Sequence, residues 1–196
     1  MPSVSARPHR IARPGRRIVV VGTSGSGKSF VAQRLASALN LAYICNDAII
    51  WRAQWTPTPR PQRFCEFEQA TGAPGWTYDG NVGSLHDQEH MLILQRADTL
   101  VWLDLPKLDV MRQLIVRTLR RTWHREVLWH GNTENWRTSF ASPQSILLWS
   151  WRTHALRQRQ FTAAFVDPRL THLIKIRLRS RAAVGRWLRA IAQKRG

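Results

Sequence analysis

Eight residues near the start of the chain, Gly22-Thr23-Ser24-Gly25-Ser26-Gly27-Lys28-Ser29, carry the spacing G-x-x-x-x-G-K-S, the phosphate-binding loop pattern. Each residue type meets one requirement of a triphosphate. Gly22, Gly25 and Gly27 let the backbone turn sharply and come close to phosphate oxygens. The N–H groups of the loop, Ser26 included, then point at those oxygens, with the positive end of a helix behind them. Lys28 adds a point charge near the outer phosphates, and Ser29 offers its hydroxyl to Mg²⁺. Phe30 completes the set as the next residue of the helix. The pattern therefore calls for ATP and Mg²⁺ as cofactors.

Such a loop works only between a strand and a helix, and its surroundings supply both. Residues 18–21 are apolar without alternation, as in a buried parallel strand, and 30–39 have apolar residues at helical spacing. Further strands are expected at 41–47, 75–81, 98–106 and 171–178. Helices are expected at 63–71, 86–95, 107–122, 143–165 and 181–192, with a Pro-rich loop at 55–61. Strands alternating with helices predict an α/β fold of three layers, a five-stranded parallel sheet with right-handed crossovers.

In such a sheet, ligands bind beyond the carboxyl ends of the strands. Asp47, Asp79 and Asp104 fall at or near those ends, so three carboxylates stand available for Mg²⁺ or an acceptor hydroxyl. Capping or turn formation is the ordinary alternative for each. Arg117, Arg120, Arg121 and Arg125 recur at spacings of three, four and four from one turn to the next, which gathers them along one side of a helix. That helix runs into "WHREVLWHGNTENW", a stretch with few core signals, and together they suggest a lid over about 117–140. A guanidinium fork suits a moving phosphoryl group, whereas a solvated helix face is the plainer reading of the same run. Of ten tryptophans, Trp102 belongs in a strand core, while Trp51 and Trp55 lie where an aromatic face can stack on a base or sugar ring.

At 196 residues and 43% hydrophobic content the chain suits one domain, over 16–196, preceded by a disordered basic arm at 1–15. No apolar run approaches the ~20 residues that cross a membrane, and the amino-terminal segment lacks a signal's apolar centre, so a cytoplasmic location is expected. Cys45 and Cys65 have no metal-ligand spacing and read as reduced thiols. The net charge of +18 is carried mostly by arginine. It suits two polyanionic substrates, and through the basic arm it also suits nucleic acid as a partner.

The ordered set "GTSGSGKS", "NDAIIW", "WTYDGN", "RADTLVWLDLP", "RTLRR", "LWHGNTENW", "SILLWSWRTH" and "IRLRS" resembles small P-loop kinases of the nucleoside-monophosphate and shikimate kinase type. More closely it resembles the bacterial DNA topology modulation proteins, described as adenylate-kinase-related. Val82 and Thr133 depart from that family's usual aromatic after "DGN" and arginine after "GN". The resemblance implies a P-loop NTPase fold with a helical lid and a small-molecule acceptor. It implies catalytic roles for Lys28, Asp47, Arg117 and Arg121, and acceptor contacts from Asp47, Trp51, Asp79 and Asn81. Asp79 would join Ser29 at Mg²⁺. Three outcomes are open: phosphoryl transfer from ATP, nucleotide-regulated DNA binding, or nucleotide binding without useful turnover.

Overall fold

A computed structural model of the chain describes residues 12–82, 85–134 and 145–193. In chain order its elements are β1 (Arg17–Val21), α1 (Lys28–Leu39), β2 (Ala42–Cys45), α2 (Asn46–Ile50), α3 (Arg60–Ala70), β3 (Trp76–Asp79), α4 (Gln88–Arg96), β4 (Thr99–Leu103), α5 (Lys107–Trp123), α6 (Ile146–Val166), β5 (Ile174–Leu178) and α7 (Arg181–Ala192). The five strands form one parallel sheet in the order β2-β3-β1-β4-β5. This is the expected α/β arrangement, a five-stranded parallel sheet between helices, with β1 at the centre.

Strand burial explains the sheet order. The central strands β3 and β4 are buried along their whole lengths, and β1 along all but Arg17, because helices cover both faces. The edge strands β2 (AYIC) and β5 (IKIRL) keep exposed positions. Side chains then sort by the two-residue period of a strand. Val19 and Val21 join Trp76, Tyr78 and Trp102 in one core with Phe67 of α3 and Phe161 of α6. Ile18 and Val20 face the opposite way, onto Val31 and Leu35 of α1 and Trp187 of α7. Trp102 is clamped edge-on by Phe161 and Phe165, at centroid distances of 5.8 and 5.4 Å. It is a core residue, as its strand position implied.

Three boundaries differ from the sequence reading for identifiable reasons. The second strand ends at Cys45, because buried Asn46 begins α2 and accepts a hydrogen bond from the Tyr78 hydroxyl on Oδ1. Residues 12–15, placed with the arm, are tied to the core. Trp187 donates to the Ala12 carbonyl at 2.9 Å, and Gly15 donates to Thr99 Oγ1 at 2.8 Å. The rest of the arm lies outside the described residues. The long helix is described from Ile146, where Ser145 Oγ caps it by accepting from Leu147 N–H at 3.2 Å. Pro143 and Trp136 also lie outside the described residues. Cys45 and Cys65 are free thiols, and no described helix is long and apolar enough to cross a membrane.

Candidate nucleotide and acceptor site

The loop from Gly22 to Gly27 closes on itself, with Ser26 N–H donating to the Thr23 carbonyl at 3.0 Å. Gly25 and Gly27 take φ of +89° and +90°, left-handed values that favour glycine. Their surroundings differ. A Cβ on Gly25 would stand 2.7 Å from the Val110 carbonyl and 2.8 Å from Leu114 Cβ, both in α5, whereas one on Gly27 would meet only Gln113 Oε1, at 3.8 Å. The loop is thus pressed against α5 on one side and open on the other, where Gly27 caps the start of α1. Ser150 Oγ of α6 donates to the Ser24 carbonyl at 3.2 Å and holds the loop's outer bend.

Lys28 begins α1 with its ammonium 3.3 Å from the Thr23 carbonyl. Burial pushes its pKa down, Asp79 and Asp47 pull it back up, and Arg117 and Arg157 push it down further. Two carboxylates and two guanidiniums therefore surround one ammonium. Asp47 lies in α2, just beyond β2, and takes a 3.3 Å hydrogen bond from Asn46 Nδ2. Its carboxyl is open to solvent on one side and crowded by protein on the others, and that desolvation raises its pKa against the pull of Lys28. Asp79, buried at the end of β3, accepts from the Tyr43 hydroxyl at 3.1 Å. Desolvation, with the charge of Asp79 second, drives the Tyr43 pKa upward. Burial also raises the pKa of the Cys45 thiol beside it.

The cations divide into committed and uncommitted ones. Arg117 is desolvated by its surroundings, which lowers its pKa, and its buried Nε has no hydrogen-bond acceptor among the described residues. Arg157 of α6 is lowered for the same reason, and its Nε is likewise without an acceptor. Arg121, expected to share catalysis with Arg117, pairs with Glu134 at 3.0 Å and lies 3.7 Å from Glu126, while its buried Nε is also without a hydrogen-bond acceptor among the described residues. Arg120 reaches Glu126 at 3.5 Å, and Arg125 lies beyond the end of α5 at φ +46°, so the four arginines do not form one helical row.

The remaining sequence candidates separate in the same way. Asp104 is consumed by Arg177, at 2.7 and 2.9 Å, and by Gln158, at 3.0 Å, so it serves the sheet edge and not the cleft. Phe30 is 56% exposed under the Arg34 guanidinium, which leaves its backbone N–H as its link to the loop. Asn81, two residues past β3, has a buried Oδ1 with no partner among the described residues. Trp51 is half-buried and packs edge-on against Trp55 with centroids 6.0 Å apart. Ser29 is solvent-exposed in the first turn of α1.

Residues 51–58 and 127–133 form two look-alike loops. Each is closed by an antiparallel bridge, Trp51 with Pro57 and Val127 with Thr133, and each has left-handed residues at its tip. They clasp each other. Asn132 Nδ2 donates to the Arg52 carbonyl at 2.8 Å while its Oδ1 accepts from Trp55 N–H at 2.9 Å, and Trp55 Nε1 donates to the Thr133 carbonyl at 3.3 Å. His130 Nε2 lies 2.9 Å from the Ala48 carbonyl. Residues 127–133 are thereby joined to the segment that follows α2. Sequence reasoning missed Asn132, Arg157 and Ser150 as site residues, because only tertiary packing brings them to the loop or across the cleft.

No protein-family model matches the sequence, and no curated protein matches it either. Solved structures similar to the chain include the shikimate kinase of Acinetobacter baumannii in complex with shikimate, at 16% identity over 91% of each chain with a TM-score of 0.49. Another is a gluconokinase from Sinorhizobium meliloti 1021, at 17% identity over 92% of this chain and 90% of that one, TM-score 0.47. A third is the shikimate kinase of Bacteroides thetaiotaomicron, at 12% identity over 91% and 97%, TM-score 0.49.

Proposed function

We propose that this protein binds ATP with Mg²⁺ and transfers the γ-phosphoryl group to a small hydroxyl- or phosphate-bearing acceptor. One observation carries the reading: Lys28, Arg117 and Arg157 gather at the phosphate-binding loop, and two of the three hold buried Nε donors that nothing among the described residues satisfies. Buried donors and like charges at close range are costly unless an anion joins them. The open side of the loop at Gly27, the helix start behind it and these cations fit the triphosphate.

The roles follow from position. The acceptor oxygen attacks the γ-phosphorus, the bond from that phosphorus to the β–γ bridging oxygen breaks, and ADP leaves with the electron pair. A hydroxyl acceptor gives its proton to Asp47, whose raised pKa makes it a better base than an ordinary aspartate. Lys28 and Arg117 meet the charge on the outer phosphates, and Arg157 adds to it from α6. Ser29 and Asp79 are the residues that would hold Mg²⁺, which would supply neutralisation of phosphate charge. The clasp through Asn132 keeps the lid over the cleft, where water must be excluded from the moving group.

The test is calorimetry with a non-hydrolysable ATP analogue. Lys28→Ala removes a charge-assisted contact, for which a loss of roughly 10- to 100-fold in affinity is expected, with the fold intact by circular dichroism. Unchanged affinity overturns the nucleotide reading.

A further inference from the structure

The chain carries 30 lysines and arginines against 12 carboxylates, yet residues 46–97 run the other way, with four arginines and no lysine against six carboxylates. That segment leaves the ends of β2 and β3 and so frames the acceptor side of the cleft. With histidines neutral it is two units negative within a protein of net charge +18. None of its arginines is spare. Arg52 is ion-paired with Glu66, Arg60 with Asp87 at 2.8 Å, Arg63 with Glu89 at 2.8 Å, and Arg96 with Glu68 at 3.4 Å. The Arg63–Glu89 pair is well sheltered, its side chains only 16% and 9% exposed. The two carboxylates left over are Asp47 and Asp79, the pair that faces Lys28.

The unsatisfied polar groups point the same way. Among the described residues, the partnerless buried atoms on the loop side are the donors Arg117 Nε and Arg157 Nε with the Ser26 hydroxyl, Arg121 Nε and Glu134 Oε2 lie farther along at 121–134, and just past β3 the partnerless atom is Asn81 Oδ1, a hydrogen-bond acceptor. Donors call for an anion, and a bare acceptor atom calls for a hydroxyl hydrogen. An anionic substrate group placed among residues 46–97 would meet the carboxylates of Asp47 and Asp79, whose counter-charge is the loop's Lys28, and arginines already engaged, and like charges brought together are disfavoured. Resting on the reading of this cleft as a phosphoryl-transfer site, we infer that its acceptor is a hydroxyl compound without an anionic group, of the polyol, sugar or nucleoside class. The half-buried indole of Trp51 offers a wall for the apolar face of such a ring. Carboxylate-bearing and phosphate-bearing acceptors find no free arginine among residues 46–97.

The test uses the full chain and three matched pairs: adenosine with adenosine 5′-monophosphate, thymidine with thymidine 5′-monophosphate, and glucose with glucuronate. Each is measured twice, as ATP-dependent ADP release and as thermal stabilisation of protein saturated with the non-hydrolysable ATP analogue. The expected result is turnover or binding by uncharged members, each favoured at least ~10-fold over its charged partner. Glu89→Gln, which releases Arg63, should narrow that preference. Glu66→Gln, which releases Arg52, provides the same readout should the first variant fail to fold. Preference for a charged member, an unaltered preference in the folded variants, or no response to any uncharged compound while the ATP analogue binds, overturns the inference. Failure of the ATP analogue itself to bind in calorimetry strikes the nucleotide reading beneath it, and the two failures are told apart by that one measurement.

Discussion

Replacing Gly25 and Gly27 separately by alanine distinguishes what the phosphate-binding loop owes to packing from what it owes to its open face. Both glycines are left-handed, at φ +89° and +90°, so each substitution carries the same backbone cost of about 1–2 kcal/mol. Only Gly25→Ala adds a collision, with its Cβ 2.7 Å from the Val110 carbonyl and 2.8 Å from Leu114 Cβ. Overpacking against a helix backbone adds about 1–3 kcal/mol. Gly27→Ala meets one side-chain oxygen at 3.8 Å and escapes that addition. In a domain of this size each kcal/mol lowers the melting temperature by about 2–4 °C. The ligand-free Gly25→Ala protein should therefore melt below Gly27→Ala by an interval on the order of 2–12 °C, the product of those two ranges. ATP-analogue affinity should show the reverse weighting. Calorimetry below both transitions should find Gly27→Ala at least ~10-fold weaker than the unsubstituted protein, because its methyl stands where phosphate must approach the backbone. Equal melting losses would refute the claim that α5 presses on the loop at Gly25. Undiminished affinity in Gly27→Ala would refute the claim that its open side receives phosphate.

Three other outcomes are expected. Turnover should fall as pH drops through the Asp47 pKa, because the proton acceptor must be ionised; since desolvation raises that pKa, the acid limb of the kcat profile should lie above the ordinary carboxylate value of about 3.9, and Asp47→Asn should abolish turnover with little change in ATP-analogue affinity. Asn132→Ala should break both hydrogen bonds of the clasp and speed proteolysis within 124–134 of the ligand-free protein, with bound ATP analogue restoring less protection than in the unsubstituted chain; equal cleavage rates would dismiss the clasp. Binding of duplex DNA, proposed to run through the basic arm, should weaken and lose salt dependence when residues 1–11 are removed, with ATP affinity unaltered. The deletion stops short of Ala12, whose carbonyl holds Trp187, and tight binding that survives it and responds to ATP would favour a nucleotide-regulated DNA binder.

Local chemistry made the loop and the sheet legible in the sequence. A phosphate-binding loop needs glycines, a lysine and a hydroxyl at fixed spacing between strand and helix, and those requirements lie within a dozen neighbouring residues. The unalternated apolar run at β1 reported a strand buried on both faces for the same local reason. Asp47 and Asp79 followed because a strand's carboxyl end faces the cleft in any parallel sheet. Charge commitment could not be read this way. Arg117 and Arg121 are one helical turn apart and alike in sequence, and each keeps a buried Nε without an acceptor among the described residues, but Arg121 is also held through its terminal nitrogen by Glu134, thirteen residues on. Asp104 looks like its two fellow strand-end acids until Arg177, on the neighbouring strand, claims it. The same holds for the four arginines of residues 46–97, each paired with a carboxylate of the same segment. Composition determined that this segment is acidic and that the loop can hold phosphate. Which arginines stay free to meet an anion depends on partners brought within about 3 Å by tertiary packing, the contact distance of a charge-assisted hydrogen bond, and that the fold alone decided.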